Sequence, residues 1–414
     1  MGGIPQVQGG YPLTQTMMTG FGKLLPLYLL LALLHGCSTL GPGRTVDGKV
    51  PLQKAVVEQP EARLLDVWVE LFDPGELPED ADDAMGLSMD IREAEARYLP
   101  EQLRAAMEST GYWGAVRLVP RNTTGSELLV SGTIVESDGE RLVLKITAQD
   151  ATGREWFRRT YKEEIEYAQY MHSGQDGREV FQSLYNTIAN DLAEFHAQLD
   201  AADTTAIRRV AALRFAADLA PDAFAGYLEE DKGQFRVVHL PAADDAMYRR
   251  VLAIRDRDFL LIDTLNGHFE NFTRQMQQPY TEWRKARIEE ATALQKLERE
   301  ALQRKLLGVA AIIGAIAIES SSNGNGGGSS VLRDTLVLGG AYAIKSGFDK
   351  SSETGIHRDA IIELDQSFSS EARPMVVEVE GETHELTGSA EVQYTQWRAL
   401  LKRIYDSETG FAGS

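Results

Sequence analysis

The chain has one cysteine, Cys37, in 414 residues. That excludes a disulfide framework and any site built from several thiolates, since both need cysteines in number. Histidine is scarce as well. Besides His35, next to the cysteine region, there are His172, His196, His239, His268, His357 and His384. They are far apart along the chain, so no pair has the spacing of a zinc-binding helix. Positive charge is in deficit: 42 Lys and Arg against 62 Asp and Glu leave a net charge of −20. So acidic a chain repels nucleic acid and does not dock on anionic lipid by charge. No apolar run reaches the roughly 20 residues that a bilayer-spanning helix needs.

Familiar catalytic spacings are missing too. There is no Gly-x-Ser-x-Gly elbow, no His-Glu-x-x-His and no phosphate-binding loop. Gly340–Ser346 ends like such a loop but lacks the glycine before Lys345. His384-Glu385 lacks a second histidine, and its surroundings read as a hairpin. The acidic stretch Asp73–Asp90 includes Asp80-Ala81-Asp82-Asp83, without the Asp spacing and terminal Glu of a calcium loop, so it reads as a solvated loop. The sequence therefore assigns no catalytic residue, no metal ligand and no cofactor site.

What is present begins with Lys23–Cys37, KLLPLYLLLALLHGC. Lys23 supplies a positive flank, Leu24–Leu34 an apolar run broken only by Pro26, and Gly36 a small residue before Cys37. The run is too short to span a bilayer and fits a signal-peptide core of roughly 7–15 residues. Leu34-His35-Gly36-Cys37 resembles the lipobox of bacterial lipoproteins, with His35 as the departure from the usual pattern. The resemblance implies cleavage between Gly36 and Cys37 and acylation of the Cys37 thiol and of the new amino terminus. Translation from Met17 or Met18 would give an ordinary short leader. Lys23 is the sole charged residue before Cys37, so the mature chain goes from −20 to −21. Ser38 is not the aspartate that marks inner-membrane retention in such lipoproteins, which points to the outer membrane.

Residues 37–60 read as a lipidated tether, with Gly, Pro and Ser and no apolar period. The length beyond the signal predicts two or three domains. Residues 61–200 carry the pattern of an α+β domain. Arg63–Phe72 alternates as a strand. Ile91–Thr110 is helical, with Pro100 expected to open its second half and Gly111 to end it. Trp113–Val119, Leu128–Glu136, Arg141–Gln149 and Glu155–Lys162 are strands, the middle pair joined by the hairpin signal Ser137-Asp138-Gly139. Asp176–Leu199 repeats Val180, Leu184, Ile188 and Leu192 every four residues and forms an amphipathic helix. The order β-α-β-β-β-β-α predicts a small sandwich of helices on a sheet.

Several short stretches give this region its likeness: Leu103…Gly111-Tyr112-Trp113, Val116…Val119-Pro120, Leu129-Val130-Ser131-Gly132-Thr133-Ile134 and Asp150-Ala151-Thr152-Gly153…Trp156. Through them, residues 63–199 resemble the domain shared by the TolB amino-terminal region, the curli-secretion lipoprotein and the lipoprotein activators of penicillin-binding proteins. The resemblance implies partner binding or ring building, not catalysis.

Residues 201–305 read as helical: Thr204–Ala220, Pro221–Glu230, Asp244–Arg257, Phe259–Phe272 and Tyr280–Leu307, with a short strand at Phe235–Leu240 and a break at Gln278-Pro279. Opposite charges at Lys285/Glu289, Lys296/Glu300 and Glu300/Arg304 support the last helix by about 0.2–0.5 kcal/mol each. Its apolar stripe rests on the domain or forms a coiled coil with another subunit. Residues 306–347 resemble a glycine-zipper hairpin, two Gly/Ala-rich arms around a Gly/Ser linker, either packed in the fold or inserted in membrane. Residues 348–414 end in a hairpin over Pro374–Gly388 and a helix over Ala390–Tyr405 with Tyr394, Trp397, Leu400, Leu401 and Ile404 inward.

The expected protein is thus an α+β, non-enzymatic lipoprotein of the outer membrane facing the periplasm. It would serve as a binding or scaffold module of an envelope assembly. Its partners would be the membrane, through Cys37, and a protein or further copies of itself. A subunit of a secretion or pore complex and an envelope hydrolase are the alternatives, the latter without a supporting motif.

Overall fold

The computed structural model divides the chain into two units, Met1–Gly41 and Pro42–Ser414. The described residues are Gly2, 43–79, 87–166, 168, 170, 179–242, 244–319, 356, 358–363, 366, 375–379 and 382–409. For most of 290–319 only the backbone is described. In the first unit Gly36, Cys37 and the signal segment lie outside the described residues, as do Asp80–Asp83 in the second.

The second unit is α+β. In chain order it runs β1 (Gly43–Val46), β2 (Val67–Glu70), α1 (Met89–Glu108), β3 (Val116–Val119), β4 (Leu128–Ser137), β5 (Arg141–Asp150), β6 (Glu155–Glu164) and α2 (Gln182–Ala197). It continues with α3 (Ala201–Leu219), α4 (Pro221–Phe224), β7 (Leu228–Asp231), β8 (Gln234–Val237), α5 (Ala246–Glu319), β9 (Met375–Val379), β10 (Glu382–Leu386) and α6 (Ala390–Thr409). The six-stranded sheet has the order β1-β6-β5-β4-β2-β3. β4, β5 and β6 pair antiparallel, while β2 lies parallel to both β3 and β4.

Alternation builds the sheet's first face. Leu142, Leu144, Ile146 and Ala148 of β5 are buried with Leu128, Val130 and Ile134 of β4. The buried Leu184, Ile188 and Leu192 of α2 and Leu99, Leu103 and Met107 of α1 belong to the same apolar cluster. β2 departs from the expected half-buried alternation, because all four of its residues are buried. A parallel strand between two neighbours is covered on both sides. Its Trp68 meets Phe259 of α5 edge-on, with ring centroids 6.3 Å apart, on the face opposite α1 and α2.

Several sequence expectations are corrected. Pro100 does not divide α1, which is continuous from Met89 to Glu108. A proline removes the hydrogen bond to the carbonyl four residues back, and here that carbonyl, of Ala96, accepts the Phe72 N–H at 2.9 Å instead. The two helices and the break expected over 244–279 are one helix, α5, with Pro279 inside it. Met276, Tyr280 and Trp283 are fully buried around the proline, so packing on both sides of it overrides the local breaker. The first arm of the expected hairpin, 306–318, belongs to the same helix, and its linker and second arm lie outside the described residues. The helix expected over 221–230 is shorter: α4 ends at Phe224, a 3-10 turn follows over Ala225–Tyr227, and from Leu228 the chain enters the β7–β8 hairpin.

Part of the expected tether is structured as well. β1 lies parallel to β6, from Gly43 opposite Thr160 to Val46 opposite Glu163. The Val50 and Gln53 N–H groups then donate to Ser183 and Asn190 of α2, at 3.1 and 2.8 Å. Main-chain bonds hold this segment, which is why it shows no apolar period. One apolar cluster runs from Leu65 to Tyr405.

α5 accounts for that continuity. Its Phe259 meets Trp68, and the helix then passes the free edge of β3, where Asn266 accepts the Leu118 N–H at 2.7 Å and donates to the Leu118 carbonyl at 2.8 Å. An exposed strand edge invites foreign pairing, and Asn266 closes this one. Further on, Glu270 accepts from Arg104 of α1 at 2.8 Å. Tyr280 then donates to the buried Glu95 of α1, which also accepts from Ser137 at 2.6 Å. Arg284 pairs with Glu179 and stacks 3.8 Å over the Tyr280 ring. The β4–β5 turn fits under this helix only as glycine: at Gly139 (φ +96°) an added Cβ would lie 3.0 Å from Cβ of Arg287 and 3.1 Å from the Arg284 carbonyl oxygen.

Candidate functional site

The second face of the sheet is polar where the first is apolar. Ser131 and Thr133 of β4, Lys145, Thr147 and Gln149 of β5 and Arg158 of β6 alternate with the core residues. The register places Ser131 opposite Thr147 and Thr133 opposite Lys145. It also places Arg158 opposite Thr147. These side chains floor a cleft of about 1260 Å³.

Distant parts of the chain wall the cleft. Glu93 and Arg97 come from α1, Asp73 and Pro74 from the segment after β2, Arg121 and Asn122 from the loop after β3, and Asp218 from α3. Glu391, Tyr394 and Arg398 come from α6, nearly the other end of the chain. The chain's fold locks these walls in place. Arg398 donates to the buried Asp258 of α5 at 3.0 Å and to Asp218 at 2.5 Å, which fixes α6 against α3 and α5. Glu70 accepts the Asn122 N–H at 2.8 Å and so holds the loop after β3 in its left-handed turn, where Asn122 has φ +62°. Burial raises the Glu70 pKa, against the pull of the Asn122 and Thr123 amides and of Arg121.

Most charges around the cleft are neutralised by neighbours. Arg97 lies 3.5 Å from Glu391, Arg121 3.7 Å from Asp73, and Arg158 donates to Glu155 at 2.8 Å. Lys145 differs. It is half-buried in the floor and forms no ion pair with the described residues. The Ser131, Thr133 and Thr147 hydroxyls around it make no side-chain hydrogen bond to the described residues either. Among the described residues the lining holds neither His nor Cys. What the arrangement offers is a patch of donors and acceptors unengaged by the described residues, around a cation with no counterion among them.

The histidines fall elsewhere. His196 is buried, 2.9 Å from the Arg63 carbonyl oxygen and tilted against Trp113, and burial lowers its pKa. His239 lies against the Tyr227 ring and His384 on β10, while His172 and His357 are outside the described residues. Among the described residues no group of three His, Cys, Asp or Glu is placed to hold a metal. No described helix is long and apolar enough to cross a membrane. Sequence reasoning missed Lys145 and its hydroxyl neighbours. Their one signal was the polar half of the β4 and β5 alternation, which marks most solvated strands equally.

Compared with known protein families, curated proteins and solved structures, the chain matches none.

Proposed function

We propose that the protein is a lipid-anchored binding module of the bacterial envelope, held at the outer membrane through Cys37, facing the periplasm, and non-enzymatic. The cleft over β4–β6 is the seat of its partner. The observation that carries this reading is the pairing of fixed walls with an unengaged polar floor. Ion pairs and capped loops hold the walls, and the floor's hydroxyls and Lys145 have no side-chain partner among the described residues. Surfaces of this kind suit recognition, where a polar rim and preformed geometry reduce the ordering needed on binding. The likeness of residues 63–199 to partner-binding envelope domains points the same way, and so does the lipobox-like Leu34-His35-Gly36-Cys37.

Acyl chains contribute about 0.8 kcal/mol per buried CH₂, and an acidic chain has no charge attraction to anionic lipid to replace them. Cys37→Ala is therefore expected to leave the chain uncleaved at Gly36 or released as a soluble periplasmic protein, as read by fractionation and mass spectrometry. A variant cleaved after Gly36 and still tightly membrane-bound would refute the anchor. For the cleft, a photo-crosslinking residue in place of Thr147 is expected to capture a defined partner in intact cells, and the same residue at an exposed position far from the cleft is not.

A further inference from the structure

The cleft's own chemistry narrows what it takes. Lys145 is a half-buried ammonium with no counterion among the described residues, and an uncompensated charge in a partly desolvated place favours an incoming anion. The lining aromatics are both turned into the core: Phe72 is 1% exposed and Tyr394 5%. The described lining offers no ring face for a sugar to stack on. The cleft of about 1260 Å³ is polar and larger than the roughly 300–1,000 Å³ of mostly apolar small-molecule pockets. Along β5, Lys145 and Thr147 are two residues apart, about 6.7 Å, which is the side-chain repeat of an extended polypeptide lying along the strand. Across the register Thr133 and Ser131 repeat that spacing on β4.

We infer that the floor patch of Ser131, Thr133, Lys145 and Thr147 binds an extended acidic peptide segment. One of its carboxylates sits on the Lys145 ammonium, and its main chain bonds to the three hydroxyls. This rests on the cleft being the partner's seat. The charge complementarity is local: the remainder of this acidic chain repels such a peptide, so the cleft confines binding to one place and makes it salt-sensitive.

The test uses the full-length chain and fluorescence anisotropy with a fluorescein-labelled peptide alternating Glu and Ala, and a Lys-Ala peptide as control. Binding of the Glu peptide is expected to weaken with salt, to fall about tenfold in Lys145→Gln, and to be retained in Lys145→Arg. Thr147→Val, which keeps shape and charge, is expected to weaken it less than Lys145→Gln does. Equal binding by wild type and Lys145→Gln, equal binding of the Lys peptide, or no binding at all would overturn the inference. So would displacement of the peptide by a carboxylated oligosaccharide at equal carboxylate concentration, which would assign the cleft to a glycan. Crosslinking from position 147 in cells separates the two levels. Capture that is unchanged by Lys145→Gln leaves the cleft as a binding seat and overturns the acidic peptide.

Discussion

Glu163 offers a measurement that reaches from one side chain to the stability of the whole fold. It lies on β6, 5% exposed, and its carboxylate accepts the Leu184 N–H at 2.8 Å in the first turn of α2. No cation pairs with it among the described residues. Burial pushes its pKa up to about 8, with the nearby Glu179 carboxylate adding to the rise and the Leu184 amide opposing it. In the unfolded chain the same group titrates near its ordinary 4.5. The fold therefore holds a neutral acid at neutral pH. Because the folded pKa is the higher one, the favourable state is fully present below about pH 4.5 and is lost as pH rises toward 8. At about 1.4 kcal/mol per pH unit, the loss amounts to about 1 kcal/mol at pH 5 and about 4–5 kcal/mol above pH 8. Glu163→Gln keeps an oxygen for the Leu184 N–H and cannot ionise. Urea unfolding of both proteins at pH 5, 7 and 9 cancels every other titration. The variant is expected to gain little at pH 5 and several kcal/mol at pH 9, with unchanged m-values. An equal gain at every pH, or none at pH 9, would show that Glu163 is not neutral in the fold.

Two further outcomes follow from the packing. Leu184→Ala removes a fully buried side chain between α2 and the sheet and is expected to cost about 2–5 kcal/mol in chemical denaturation. Asn266→Ala strips the edge of β3 of its side-chain partner and leaves the Leu118 N–H and carbonyl unpaired. It should destabilise by about 1–3 kcal/mol and speed amide exchange at Leu118 first.

Local pattern determined much of this protein. β4, β5 and β6 alternate because one face is apolar core, and that period survives in the sequence whatever lies on the other face. Leu184, Ile188 and Leu192 on α2, and Tyr394, Trp397, Leu400, Leu401 and Ile404 on α6, are buried as their helical spacing requires. Gly111 and Gly139 take the positive φ that ends a helix and turns a hairpin. The Leu34–Cys37 motif is likewise a property of the sequence alone.

Tertiary structure decided the rest, since the partners concerned are far apart in the chain. β1 exists through backbone bonds to β6, more than a hundred residues away, and main-chain bonds leave no trace in side-chain periodicity. Pro100 stays inside α1 because Phe72 takes the carbonyl it frees, and Pro279 stays inside α5 because the sheet unit packs against both of its sides. Sequence gives each strand a polar face but not which stretch of that face remains uncovered. α5 shields β2 and the β3 edge, α6 is pinned by Arg398 at the cleft's rim, and the described residues leave the floor around Lys145 open. A binding surface is what remains after every other surface has found its cover, and that is settled only when the whole chain has folded.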